Sequence, residues 1–407
     1  MLGQMTMKLI QRSTYLDILK NIIGTPDIKV ITGLRRSGKS KLMESFMDYV
    51  RAANGNANII HINFNLNEYE HLLEYHALHD YVEEAYAPGK DNFVLIDEIQ
   101  MCEGFEKTVN SLHASEKYDI YITGSNAFLL SSDLATLFTG RTFEIEVYPF
   151  SFREFMQYFE LEDPYAAFNR YIQEGGMSGS YLYKLPESKY DYIADVFDTL
   201  VVRDIQKKYN IRNMPLMEQL CDFLIDNISN LTSARSVVKA FDAQQVKTND
   251  RTVSAYLKYL CNAFAFYRVR RYDIQGKRYL ASNDKYYLCD HSFKYAKLGT
   301  KNADYGRSIA NIVAIELLRR GYELYAGVLY KKEIDFVAVK RGEKLYIQVA
   351  NSIDDPDTFQ REIDPLLRIK DAYPKMILAR TRQELYQHEG IKIIDVADWL
   401  LDLDSFQ

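Results

Sequence analysis

The sequence predicts an α/β fold built on a parallel sheet, and three observations carry that prediction. A short apolar strand at residues 28–32 runs into a glycine-bounded loop, helical spacing of apolar residues follows the loop, and a second apolar strand at residues 93–96 ends in two adjacent acids. Buried parallel strands read as such continuous apolar runs because both faces are covered by helices. The 407 residues amount to two or three domains, and 47% hydrophobic with 26% charged residues is an ordinary globular composition.

Taken in order, the first element lies in DIKVITGLRRSGKSKLMESFMDYV, where strand, loop and helix succeed one another. The loop Gly33, Leu34, Arg35, Arg36, Ser37, Gly38, Lys39, Ser40, with Lys41 after it, has the spacing GxxxxGK[ST]. Such a loop wraps phosphates with backbone N–H groups. The helix start adds favourable partial charge, Lys39 reaches the outer phosphates, and the Ser40 hydroxyl can ligate magnesium. ATP and Mg2+ are the expected ligands. Apolar Leu42, Met43, Phe46 and Val50 give the following helix its buried stripe.

A second strand is expected at residues 58–64, and a third, FVLIDEIQ, delivers Asp97 and Glu98 to its carboxyl end. Open α/β sheets bind ligands at that end. Asp97 would hold magnesium and Glu98 would polarise an attacking water; the alternative is a helix cap followed by a first-turn acid. A fourth strand at residues 119–123 leads into Gly-Ser-Asn, placing Ser125 and Asn126 where a side chain could meet a γ-phosphate, although this is also ordinary turn chemistry. Arg141 precedes a fifth strand at residues 142–147. It is either an arginine finger, in cis or on a neighbouring subunit, or one half of a structural ion pair.

The combination GLRRSGKS, LIDEIQ, ITGSN and TGR followed by YPFSFREF resembles the bacterial and archaeal AAA-type ATPases that carry a C-terminal winged-helix and nuclease-like region. The resemblance spans essentially the whole chain. It implies a catalytic glutamate beside the magnesium-binding aspartate, supporting the roles given to Lys39, Ser40, Asp97 and Glu98, and it implies a homo-oligomer. The domain division expected is 1–150 for the ATPase core, 151–212 for a helical lid and connecting helix, 213–295 for a winged helix, and 296–407 for a nuclease-like domain.

Residues 150–210 read as helices broken by GGMSGS. Three further helices follow, with Thr232 or Ser233 capping the second and Asn249 or Asp250 the third, and then a hairpin turning at Gln275 and Gly276. That order is the winged helix-turn-helix, with the second of its two short helices as groove reader. Residues 258–301 hold ten Lys or Arg against three Asp or Glu, in a chain whose formal net charge is -6. Arg268, Arg270, Arg271, Lys277 and Arg278, interleaved with tyrosines, suit contacts to duplex phosphates without sequence specificity. Winged helices also contact proteins, so an unknown protein partner is the other expectation.

The C-terminal part, a helix carrying Glu316, then EIDFVAVKRGEKLYIQVANS, then further helix and strand, resembles the PD-(D/E)xK nuclease fold. That chemistry needs acids on successive strands to hold a divalent cation and a lysine two residues on to activate water. Asp335 supplies the first acid and Glu316 is the candidate helix acid. Gln348 stands for the second acid and Ala350 for the lysine, so a degenerate, inactive centre is expected unless Lys331, Lys332, Lys340 or Lys344 substitutes. Cys102, Cys221, Cys261 and Cys289 form no CxxC pair, and no apolar run of about 18 residues appears. A soluble cytoplasmic protein with no membrane association is the expectation.

Overall fold

The structure is a computed structural model that describes residues 8–124, 136, 138, 140–280, 283–299 and 305–402. Two compact units emerge, one spanning Leu9–Val147 and the other Tyr148–Gln407 with Met1–Lys8. No helix among the described residues is long and apolar enough to cross a membrane.

In the first unit β1 (Ile28–Thr32), β2 (Ala57–Asn63), β3 (Asp91–Asp97), β4 (Tyr118–Thr123) and β5 (Thr142–Glu146) form one sheet in the order β2-β3-β4-β1-β5. Every pairing in it is parallel. Alternate strand residues serve opposite faces, as the period of two dictates. Ile28, Val30, Val94 and Ile122 pack into one core with Leu78 and Leu112 from the helices Tyr75–Glu84 and Phe105–Ala114. Ile31, Leu95 and Tyr121 pack into the other, against Leu42 and Phe46 of the helix Lys39–Ala53 and Leu16 of the helix Ser13–Asn21. Strand positions therefore agree with expectation to within two residues at either end.

A buried charge network closes the amino end of this sheet. Lys29, wholly buried, donates to Asp119 Oδ1 at 2.5 Å and to the Thr25 carbonyl at 2.6 Å. Asp119 Oδ2 in turn accepts from Gly24 N at 2.9 Å and from the Tyr121 hydroxyl at 3.1 Å.

In the second unit the helices Phe152–Phe159, Pro164–Glu174 and Pro186–Asp198 come first, with Gly175 at φ 68° ending the second of them. Next come the helix Met214–Asp226, β6 (Leu231–Thr232), and the helices Ala234–Ala243 and Asp250–Asn262, capped by Ser233 and Asn249. β7 (Phe266–Asp273), β8 (Arg278–Tyr279) and β9 (Asp284–Leu288) follow, then the helices Ser292–Leu298 and Tyr305–Arg319. β10 (Glu323–Leu329), β11 (Lys332–Lys340) and β12 (Glu343–Ala350) precede the helix Pro356–Leu367, and β13 (Lys375–Ala379), β14 (Tyr386–His388), β15 (Ile391–Asp395) and the helix Val396–Leu401 complete the chain.

One sheet of ten strands runs through this unit in the order β14-β15-β13-β12-β11-β10-β7-β9-β6, with β8 on β7. The boundary expected at 295/296 therefore separates strands that the sheet joins, because β7 pairs in parallel with β10 from Arg270↔Tyr325 to Asp273↔Val328. β10 lies between the helix that carries Glu316 and the strand that carries Asp335. Gly321, at φ 81°, ends that helix, and the chain re-enters as a strand.

Removing Asp119 strands the Lys29 ammonium inside the sheet. Asp119→Ala should cost about 3–5 kcal/mol, read as a lowered urea midpoint with an unchanged slope.

Candidate nucleotide site

The phosphate-binding loop is fixed from below by β1 and β5. Gly33 has φ 130°, and a Cβ there would lie 2.2 Å from the Val147 carbonyl oxygen, so only glycine fits. Arg36 and Gly38 also take left-handed conformations, at φ 63° and 96°, and the helix Lys39–Ala53 begins immediately after. Lys39, 4% exposed, donates to the Gly33 and Leu34 carbonyls at 3.0 Å each. Leu34 and Ser37 are buried, Arg35, Gly38 and Ser40 half-buried, and Arg36 exposed. Lys41 pairs with Glu44 at 2.6 Å on the exposed side of the helix. Arg12, which sequence inspection does not single out, donates from Nη1 to the Ser37 carbonyl at 2.8 Å.

Asp97 closes β3 at 1% exposure, next to β4 on one side and β2 on the other. Thr123, the last residue of β4, donates its hydroxyl to Asp97 Oδ1 and accepts the Glu98 N–H at 3.1 Å. One hydroxyl thus orients the expected magnesium ligand and the expected base together. Glu98 has φ 57°, a left-handed conformation for a non-glycine residue. Such strain costs on the order of 1–3 kcal/mol and is concentrated at functional sites. On neighbouring β2, burial pushes the His61 imidazole down, against the opposing pull of Asp97.

Lys39 and Ser40 thus follow the carboxyl end of β1, and Asp97 and Glu98 that of β3, with β4 between the two strands, at the edge where open α/β sheets bind ligands. The donor set fits a nucleotide with magnesium: glycines where the backbone must approach closely, a hydroxyl, one buried carboxylate and a lysine. Asn126 and its neighbour Ser125 lie outside the described residues. Arg141 is elsewhere. Its carbonyl accepts from Ile28 N at 2.9 Å, at the start of β1. The length of β1, roughly 16 Å at about 3.3 Å per residue, separates it from its own loop, which removes the expectation of action in cis.

Around Asp335 a different arrangement appears. Its Oδ2 accepts from Val349 N at 3.0 Å, and the Asp335 N–H donates to Gln348 Oε1 at 2.7 Å. Gln348 Nε2 donates to Glu362 Oε2 at 3.0 Å. The cation beside Asp335 is Lys285 of β9, 3.5 Å away and also paired with Glu333. Burial opposes the charge on Lys285, but Tyr287, Asp335 and Glu333 outweigh it and hold its ammonium above the usual lysine range. Burial, with the Asp335 charge, pushes the Glu362 carboxyl up. Glu316 belongs to another cluster, held by Arg319 and by Arg320 at 2.9 Å. Lys332 pairs with Asp364, Lys340 donates to the Arg320 carbonyl and Lys344 to the Tyr272 hydroxyl. Ala350 is buried and contributes no polar group. Among the described residues no group of three or more His, Cys, Asp or Glu is arranged to hold a metal ion.

The basic residues of β7 and β8 divide. Arg268 is bonded to Asp284 at 2.6 Å, and Arg278 stands opposite Asp273 at 3.4 Å. Arg270 lies over the Tyr279 ring at 5.2 Å, while Arg271 falls on the opposite face of β7 with a buried Nε that has no partner among the described residues. Lys277 sits in the turn at φ 48°.

This loop-and-acid geometry is that of a P-loop domain, and the AAA domain family matches residues 25–156, followed by a domain of unknown function at residues 165–304. The chain belongs to the family of an uncharacterized protein of Haemophilus influenzae, to which it is 38% identical over 403 residues, covering 98% of this chain and 100% of that one. An uncharacterized protein of Methanocaldococcus jannaschii is 27% identical over 409 residues, 96% of this chain and 88% of that one. Among solved structures, AMPPCP-bound DnaA from Aquifex aeolicus superposes with a TM-score of 0.32 at 14% identity, over 62% of this chain and 89% of that one.

Thr123→Val removes the bridge between Asp97 and Glu98 and leaves a buried carboxylate and an N–H short of a partner. It should lower stability by roughly 1–3 kcal/mol in thermal melts, whereas Thr123→Ser should stay near the wild type.

Proposed function

We propose that the protein is a magnesium-dependent ATPase whose hydrolysis cycle is coupled to a C-terminal arm that engages duplex DNA without sequence specificity. The observation that carries the ATPase part is the convergence of Lys39, Asp97, Glu98 and Thr123 at one edge of the parallel sheet. Lys39 and the N–H groups of the loop hold the β- and γ-phosphates. Ser40 and Asp97 would hold magnesium, which supplies charge neutralisation along the phosphates. Glu98 accepts a hydrogen bond from the attacking water, orients it in line with the γ-phosphorus and takes up its proton as the bond from the γ-phosphorus to the leaving β-phosphate oxygen lengthens. Arg141, exposed at the opposite end of the sheet, acts on the nucleotide of a neighbouring copy, which makes the working form a homo-oligomer.

The DNA-engaging part rests on helices 234–243 and 250–262, which with β6, β7 and β9 support the winged-helix reading. The exposed face of the later helix presents Arg251, Ser254 and Lys258, and Arg235, Lys239 and Lys247 are exposed nearby. None of these five cations is drawn into an ion pair with a described residue, and the acids between residues 234 and 262 are Asp242 and Asp250. This face suits phosphate contacts better than β7, whose Arg268 and Arg278 are already neutralised. The strands around Asp335 are read as a nuclease-like scaffold without a working centre, supported by Lys285 and Gln348 occupying its carboxylates.

Lys39→Ala should abolish ATP binding in a fluorescent-nucleotide titration, and Glu98→Gln should bind ATP like the wild type while hydrolysing it at least 100-fold more slowly, about 2.7 kcal/mol of barrier. Hydrolysis within a few-fold of wild type in Glu98→Gln would remove Glu98 from the chemistry.

Duplex binding should weaken steeply with salt, and Arg251→Ala with Lys258→Ala should reduce the slope of log K against log salt by about 2. Binding absent at low salt would point instead to a nucleotide-gated scaffold with a protein partner.

A further inference from the structure

The ATPase site contains a third residue of its acidic motif for which the chemistry above has no use. Gln100 lies in the short turn of helix Ile99–Met101 that follows Glu98. Its Nε2 donates to Glu98 Oε2 at 2.5 Å. Its own carbonyl oxygen, Oε1, is buried and has no hydrogen-bond partner among the described residues. A buried acceptor left unpaired costs roughly 1–3 kcal/mol, and the left-handed backbone of Glu98 adds a cost of similar size. Two unfavourable features thus stand two residues apart, joined by one hydrogen bond between an amide and a carboxylate. A solvated loop would shed both, since a rotation of Gln100 would return its amide to water. Buried Ile99, at 0% exposure between them, anchors the turn that carries both residues.

We infer that Gln100 is a positioning residue for hydrolysis: its amide holds the Glu98 carboxylate in the one orientation from which it can take a water. The inference rests on the role proposed for Glu98. Glu98 is fixed at its backbone by the Thr123 hydroxyl and at its carboxylate by the Gln100 amide, so neither end of the side chain is left to choose among rotamers. Pre-organisation of this kind lowers the barrier without strengthening nucleotide binding. It also assigns the two substituents of the amide different parts. The NH2 group is needed as a donor to an anion, and the carbonyl oxygen only accompanies it. A glutamate at position 100 would have the same shape and no donor, and would place a second carboxylate against the first.

The test is a comparison of Gln100→Glu and Gln100→Ala with the wild type, measuring ATP affinity by fluorescent-nucleotide titration and single-turnover hydrolysis with magnesium. The expected result is a loss of at least tenfold in the hydrolysis rate for both variants, with ATP Kd within twofold of wild type. In the Glu98→Gln background, Gln100→Ala should add less than a twofold further loss, because the carboxylate it positions is gone. Hydrolysis within twofold of wild type in Gln100→Glu overturns the inference, as does a loss that appears equally in Kd, or one that is undiminished in the Glu98→Gln background. Should Glu98→Gln itself hydrolyse like wild type, the role of Glu98 fails, and that failure is separate from a neutral Gln100→Glu in a protein where Glu98→Gln is inactive.

Discussion

No side chain can stand at position 33, and the site is arranged around that constraint. β1 runs between β4 and β5, and the Val147 N–H donates to the Thr32 carbonyl at 2.9 Å as β5 ends. This brings the Val147 carbonyl against the Gly33 Cα so closely that a Cβ would overlap it. The approach locks the start of the phosphate loop to the end of the sheet. From there the left-handed turns at Arg36 and Gly38 have only one way to enter the helix Lys39–Ala53. The same strand order puts β4 beside β1 and β3 beside β4, so that Thr123 and Asp97 arrive at the loop's edge together. The loop, the acids and the hydroxyl are thus consequences of one sheet topology.

What was legible in the sequence is what is local. Gly33, Gly38, Lys39 and Ser40 fall within eight consecutive residues, and Asp97 and Glu98 close an apolar strand, so spacing alone makes them the expected site residues. Thr123 is 26 residues from Asp97 and becomes its partner only through the parallel pairing of β3 with β4. A threonine at a strand end carries no mark of such a role. Arg12 is likewise hidden, because its contact with Ser37 depends on how the segment before the first helix folds back on the loop. That Arg141 falls at the amino end of the sheet follows from its place just before a parallel strand, and the register of β5 on β1 sets only which residue of β1 it meets.

The basic stretch of residues 258–301 shows why a count of charges misleads. Its three acids are Asp273, Asp284 and Asp290. Two of them are the counter-ions of Arg278 and Arg268, brought across the strands by the hairpin register. The third, Asp290, is buried and accepts the Gly176 N–H at 2.7 Å. The excess of cations is real in composition and smaller in availability. A more open face lies on the helix Asp250–Asn262, where net charge along the chain is unremarkable but burial of Val253, Tyr256, Leu257 and Leu260 turns Arg251 and Lys258 outward. Helical periodicity could have found this face, because the apolar stripe fixes which residues remain for solvent.

The same principle governs the centre around Asp335. Sequence comparison of Gln348 and Ala350 with the nuclease pattern looks for a missing lysine two residues along the strand, and the candidates at Lys332, Lys340 and Lys344 are engaged elsewhere. The lysine that does stand beside Asp335 is 50 residues earlier, in β9. The strand order leaves β7 and β10 between β9 and β11, so no spacing in the sequence marks Lys285 as the partner of Asp335. A buried ammonium between Glu333 and Asp335 satisfies the carboxylates that a divalent cation would otherwise serve. Glu362, its carboxyl raised by burial and by Asp335, is bonded to the Gln348 amide, which is uncharged where an acid would add a third like charge. The cluster is therefore electrostatically closed from within: its carboxylates have a lysine and an amide as partners.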